Sequence, residues 1–175
     1  MTVSPMFKNG TLVSGWLRDM GCSPNVVADS QSNWLYEIAF PVGTPVQIRI
    51  NVGNPIAMPR AVVFGARMVP AAHHVAAWEA LDDDVKREFW LELRATLNRE
   101  FVEFAIEGKP LTECPPGFQV FATRFDDALT LDSLYRTISS VTKACLDGGA
   151  LFDEHLGTAG PAAGGEFAFK KLGVQ

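Results

Sequence analysis

Apolar residues between Asp82 and Phe101 recur at helical spacing. Val85, Phe89, Trp90, Leu93, Leu97 and Phe101 fall on one broad face, and Arg87, Glu88, Glu92, Arg94 and Arg99 fall mostly elsewhere. The pattern predicts a long amphipathic helix, with one residue of Asp82-Asp83-Asp84 as its cap and the others favourable beside its positive end. The helix runs straight into a segment of period two, in which Val102, Phe104 and Ile106 alternate with Glu103, Ala105 and Glu107. That alternation predicts a strand with one solvated face, and helix and strand then share one apolar layer.

The same reading extends along the chain. Leu12, Trp16, Leu17 and Met20 predict a short helix over Thr11 to Met20 that ends at Gly21, followed by a brief strand at Val26 to Ala28. Strands follow at Trp34 to Phe40 and Val46 to Val52. The second of these sets Gln47, Arg49 and Asn51 opposite four β-branched residues. After a turn at Gly53-Asn54-Pro55, the apolar run Arg60 to Val69 predicts a more central strand with Gly65 at a bulge or close approach. Pro70 suits the first turn of a helix over Ala71 to Leu81 that packs through Val75, Trp78 and Leu81. Phe118 to Phe125 is the last main strand, in a hairpin with Val102 to Glu107. Leu134, Ile138, Val141 and Cys145 define a final helix from Leu131 to Leu146 that Gly148-Gly149 should end or interrupt. The fold class is therefore α+β: an antiparallel sheet of five or six strands with helices packed on one face. Residues 1–156 form one domain. Residues 157–175 form a Gly/Ala/Pro-rich linker and an arm in which Phe167 and Phe169 share a side.

Composition narrows the function classes. With 175 residues, 47% hydrophobic and 20% charged, the chain supports one sizeable core. A net charge of -5 and the absence of any Lys/Arg cluster argue against nucleic acid as a partner. No stretch approaches the roughly 18 apolar residues of a membrane span, and the N-terminus lacks the pattern of a secretion signal, so a cytoplasmic protein is expected. Cys22, Cys114 and Cys145 are odd in number and widely spaced, which suits a reducing compartment. Cys145 reads as a core residue and Cys114 as a turn residue open to exposure.

No constellation dictates a reaction, so no catalytic, cofactor-binding or metal-binding residue is assigned. His73 and His74 are neighbours on a helix and point about 100° apart, which favours a solvated helix face over a shared metal. His155 is too distant in sequence to pair with them. Glu103 and Glu107 read as outward-facing surface carboxylates, and no nucleophile elbow or phosphate-binding glycine loop occurs. Leu91 projects opposite the centre of the long helix's apolar face, near Arg87, Ala95 and Asn98. It is either a partner contact or a leucine left exposed or covered by a terminal segment.

Trp16-Leu17-Arg18-Asp19-Met20-Gly21, followed by Phe89-Trp90-Leu91-Glu92-Leu93-Arg94 leading to Val102-Glu103-Phe104, resembles a prokaryotic family of uncharacterised proteins. That family shares the fold of the small type III secretion chaperones and the YbjN-like domains. The likeness spans about Thr11 to Leu146 and rests on packing motifs. It implies a secretion-chaperone-like fold, dimerisation and the binding of other polypeptides, and it transfers no functional residue. The expectation is a non-catalytic protein-interaction module, with Leu91, Phe167 and Phe169 as its candidate surface. A small-ligand-binding protein or enzyme is the alternative.

Overall fold

The computed structural model describes residues 5–100, 102–110 and 113–158. The elements run in the order α1 (Pro5–Asp19), β1 (Asn25–Val26), β2 (Ser32–Phe40), β3 (Ile48–Pro55), β4 (Ala61–Met68), α2 (Ala72–Trp78), α3 (Asp83–Leu97), β5 (Glu103–Ile106), β6 (Phe118–Phe125) and α4 (Leu131–Leu156). Among the described residues this is an α+β chain with four helices and one six-stranded antiparallel sheet, in strand order β1-β2-β3-β4-β6-β5. Two compact units divide it: Met1–Ala66 with Phe121–Thr142, and Arg67–Val120 with Lys143–Gln175.

In the first unit, α1 begins earlier than its apolar spacing indicates, and its buried face is turned by one residue. Val13 and Leu17 are fully buried while Leu12 is 48% exposed. Gly10 sets that phase, because a Cβ there would lie 2.9 Å from Cδ1 of Trp34 and the Tyr36 hydroxyl donates to its carbonyl at 3.1 Å. The helix ends as expected at Gly21 (φ 80°), with Gly21 N–H donating to Arg18 and Cys22 N–H to Leu17, a paired arrangement that satisfies two terminal carbonyls.

β3 starts and ends later than its alternation suggests. Val46 is exposed and lies in the preceding loop, where its carbonyl accepts from the Thr44 hydroxyl at 2.7 Å. Ile48, Ile50 and Val52 are fully buried. Gly53-Asn54-Pro55 belongs to the strand and not to a turn, since the buried Asn54 amide donates to the carbonyls of Ala61 (2.6 Å) and Pro59 (3.1 Å) and accepts from Asn33 at 2.7 Å. The irregularity in the sheet falls between Ser32 and Trp34 of β2, while Gly65 pairs in register with Asn51.

In the second unit, Pro70 lies before the N-cap Ala71 and outside the first turn of α2. Trp78 is buried as expected, but Val75 is exposed. Phe89, Trp90, Leu93 and Leu97 of α3 are buried in agreement with the helical spacing; Phe101 lies outside the described residues. Asp82 is the N-cap residue, yet its side chain makes no capping bond. The aspartates therefore favour the helix through its dipole. A short 3-10 turn, Asn98–Glu100, separates α3 from β5.

The largest departure is α4, which continues through Gly148-Gly149 to Leu156. Gly148 is retained for contact: a Cβ there would lie 2.7 Å from Cζ of Phe118 and 3.2 Å from Cδ2 of Leu97, both buried. The helix accepts the intrinsic cost of glycine, about 1 kcal/mol, because the aromatic ring packs against its backbone.

Opposite signs follow for the two adjacent glycines. Gly148→Ala should lower stability by about 1–2 kcal/mol, overpacking outweighing the gain in helix propensity. Gly149→Ala meets only the flexible end of Met68, at 3.4 Å, and should raise stability by about 0.5–1 kcal/mol. Denaturant midpoints measure both, and equal shifts would refute the contact argument. Leu93→Ala should cost about 2–5 kcal/mol by the same assay.

Candidate functional site

Alanine at the N-cap of α2 cannot accept a hydrogen bond through its side chain, so the local backbone is satisfied by a histidine. Ala71 N–H donates to Nδ1 of His74 at 3.3 Å, and His74 N–H donates to the Ala71 carbonyl at 3.0 Å. Because Nδ1 accepts, the neutral ring carries its proton on Nε2, which donates to Oδ1 of Asp153 at 3.0 Å. His73 Nε2 lies 3.1 Å from the carbonyl of Gly157, which can only accept. Gly157 caps α4 with φ 85°, and its N–H donates to the Asp153 carbonyl at 3.0 Å.

The adjacent histidines thus both reach the C-terminal end of α4, with ring centroids 4.0 Å apart. His74 is 2% exposed, a correction to the solvated helix face expected for it. Its signal was hidden because Asp153 comes from 79 residues further along the chain. Burial and the neighbouring His73 push the His74 ring below its usual pKa, against the opposing pull of Asp153 and Gly157.

His73, His74 and Asp153 offer ligand atoms within 4.8 Å of one another, an arrangement that could hold a metal on distance alone. The bonding argues against it. Coordination through His74 Nε2 would move the proton to Nδ1, where it would face the donating N–H of Ala71. The cluster is better described as a clasp between α2 and the end of α4.

α4 also touches α3. His155 Nε2 bonds Oε2 of Glu92 at 2.8 Å, so His155 has a close partner despite its separation in sequence. Its ring meets Phe89 edge-on at 5.4 Å. Glu92 lines a shallow, open depression on α3 together with Asp84, Arg87, Glu88, Leu91 and Ala95. Leu91 is 60% exposed at its centre, whereas the preceding Trp90 is buried and donates to the Glu113 carbonyl at 3.0 Å. Three carboxylates and one guanidinium surround Leu91, and Arg87 pairs with Asp84 at 3.7 Å. The depression is an apolar knob in an acidic rim.

Glu107 is not the solvated carboxylate its position in a period-two strand implied. It accepts from Nε of Arg67 at 2.7 Å and from Gln119 at 3.2 Å, and the Arg67 bond holds its carboxyl below the usual range. Gly117 packs beside this pair, where a Cβ would lie 2.6 Å from the Met68 carbonyl. The thiols are poor nucleophiles. Burial raises Cys22, pushes Cys114 to about 11 with help from Glu79, and pushes Cys145 to about 12. Phe167 and Phe169 lie outside the described residues.

The fold defines an α+β protein, and its α3 helix carries an exposed leucine among carboxylates. The chain belongs to the family described as an uncharacterised conserved protein, DUF2299, whose model matches residues 10–149. No curated protein matches it. The crystal structure of an uncharacterised protein from Methanothermobacter thermautotrophicus is similar, with a TM-score of 0.75 at 23% identity over 84% of this chain and 98% of that one. At that identity the likeness establishes the fold. No helix among the described residues is long and apolar enough to cross a membrane.

The clasp predicts an acid-sensitive fold. Because the folded His74 resists protonation, the unfolded chain binds the proton first as pH falls below about 6.5, and stability declines from there until the folded ring also titrates. His74→Gln keeps one donor and one acceptor without a titrating ring. Its stability should fall less steeply than the parent's between pH 7 and 5 in chemical denaturation, and parallel profiles would contradict the assignment.

Proposed function

We propose that this protein is a polypeptide-binding module, related in fold to the secretion chaperones, that docks its partner on the exposed face of α3. The observation carrying this reading is Leu91, 60% exposed within the rim of Asp84, Glu88 and Glu92. Helix faces of this kind bind segments that place apolar anchors against the knob and basic residues against the rim. The committed nitrogens of His74 and the protonated thiols favour binding over chemistry. Three unpaired cysteines fit a cytoplasmic setting, and a homodimer fits the proposed relation to the chaperones.

Copurification from native cells with mass spectrometry tests the reading. A stoichiometric polypeptide is expected, and a retained small molecule in its place would favour a ligand-binding protein or enzyme. Leu91→Asp should reduce recovery of that polypeptide about tenfold or more while leaving the unfolding midpoint within about 0.5 kcal/mol of the parent. Undiminished recovery would remove α3 as the docking face.

A further inference from the structure

We infer that the α3 face is occupied in the free protein by the chain's own C-terminal segment, Glu166-Phe167-Ala168-Phe169-Lys170-Lys171, which competes with the external polypeptide. The inference rests on the reading of α3 as a docking face and adds its regulation.

Three observations support the occupant. The first is where the described chain ends: α4 closes at Leu156, and His155 is bonded to Glu92, itself part of the depression. The end of α4 therefore lies beside the depression. The second is length. Phe167 stands nine positions after Thr158, and a span of this glycine-rich composition has a root-mean-square reach of about 15–18 Å. The rise from Glu92 back to Asp84 along α3 is about 12 Å, so the arm is neither too short nor wastefully long.

The third observation is chemical complementarity. Phe167 and Phe169 lie two apart, the spacing that puts both rings on one side of an extended segment, and they match Leu91 and Ala95. Lys170 and Lys171 follow directly and meet a rim in which Asp84, Glu88 and Glu92 outnumber Arg87. Glu166, at the other end of the segment, suits that single guanidinium.

Tethering makes a weak contact sufficient. A short linker gives an effective concentration on the order of 1 mM, so a segment whose isolated dissociation constant is about 0.1–1 mM occupies the face half the time or more. An external partner then binds about two- to tenfold more weakly than it would to an arm-free protein.

The test uses the full chain with isotope-labelled leucine methyl groups. The Leu91 methyl resonances should be displaced by ring currents in the parent and return to their arm-free positions in the Phe167→Ala/Phe169→Ala double variant. Lys170→Glu/Lys171→Glu should reduce the displacement, and added salt should reduce it in the parent. Coincident Leu91 resonances in parent and double variant would overturn the inference. A displacement that appears only as protein concentration rises would overturn it in favour of the arm of a second copy. Truncation after Thr158 separates this inference from the reading beneath it. Partner affinity should rise about two- to tenfold on truncation. An unchanged affinity that is still lost in Leu91→Asp would end the competition and leave the docking face intact.

Discussion

The close approach of the Phe118 ring to the backbone of α4 at Gly148 is the constraint on which the second unit depends. With any side chain at that position the ring and the helix could not both keep their places, since the Cβ would sit 2.7 Å from Cζ. With glycine there, the helix continues for two further turns and carries Phe152, Asp153, His155 and the cap at Gly157. Phe152 then packs against Phe89 at 4.9 Å, and Asp153 and His155 reach α2 and α3. A locally unfavourable residue thus creates the segment that holds three helices in register.

The polar contacts at that segment differ in kind. His74 is buried, committed at both nitrogens and neutral by preference, so it is a positional element whose loss leaves Ala71 N–H without its acceptor and Asp153 without its donor. His155 and Glu92 lie nearer the surface, where a single polar contact adds little stability. Their consequence is spatial: they bring the end of α4 to the rim of the α3 depression. Arg67, Glu107 and Gln119 form a separate network whose stabilisation is present above the ordinary carboxylate range and fades as acid protonates Glu107.

Leu91 is the point at which architecture and proposed function meet. Trp90, just before it, and Leu93, two residues after it, are buried, so α3 cannot rotate to hide Leu91 without exposing them. Its exposure is therefore a property of the helix phase. Surrounding it with carboxylates keeps the face well solvated.

Periodicity by itself determined the buried face of α3, the alternation of β5, the extent of β6 and the first four turns of α4, because in these segments local pattern and tertiary burial agree. It also placed Leu91 off the packed face. The phase of α1, the extension of β3 through Asn54, the burial of His74 and the pairing of Glu107 were decided only by tertiary structure. Each depends on a partner remote in sequence: Trp34 against Gly10, Ala61 for Asn54, Asp153 for His74 and Arg67 for Glu107. Hydrophobic spacing reports which side of an element is apolar. It is silent on whether a polar group has a partner, and burial of that group becomes affordable only once the folded chain supplies one.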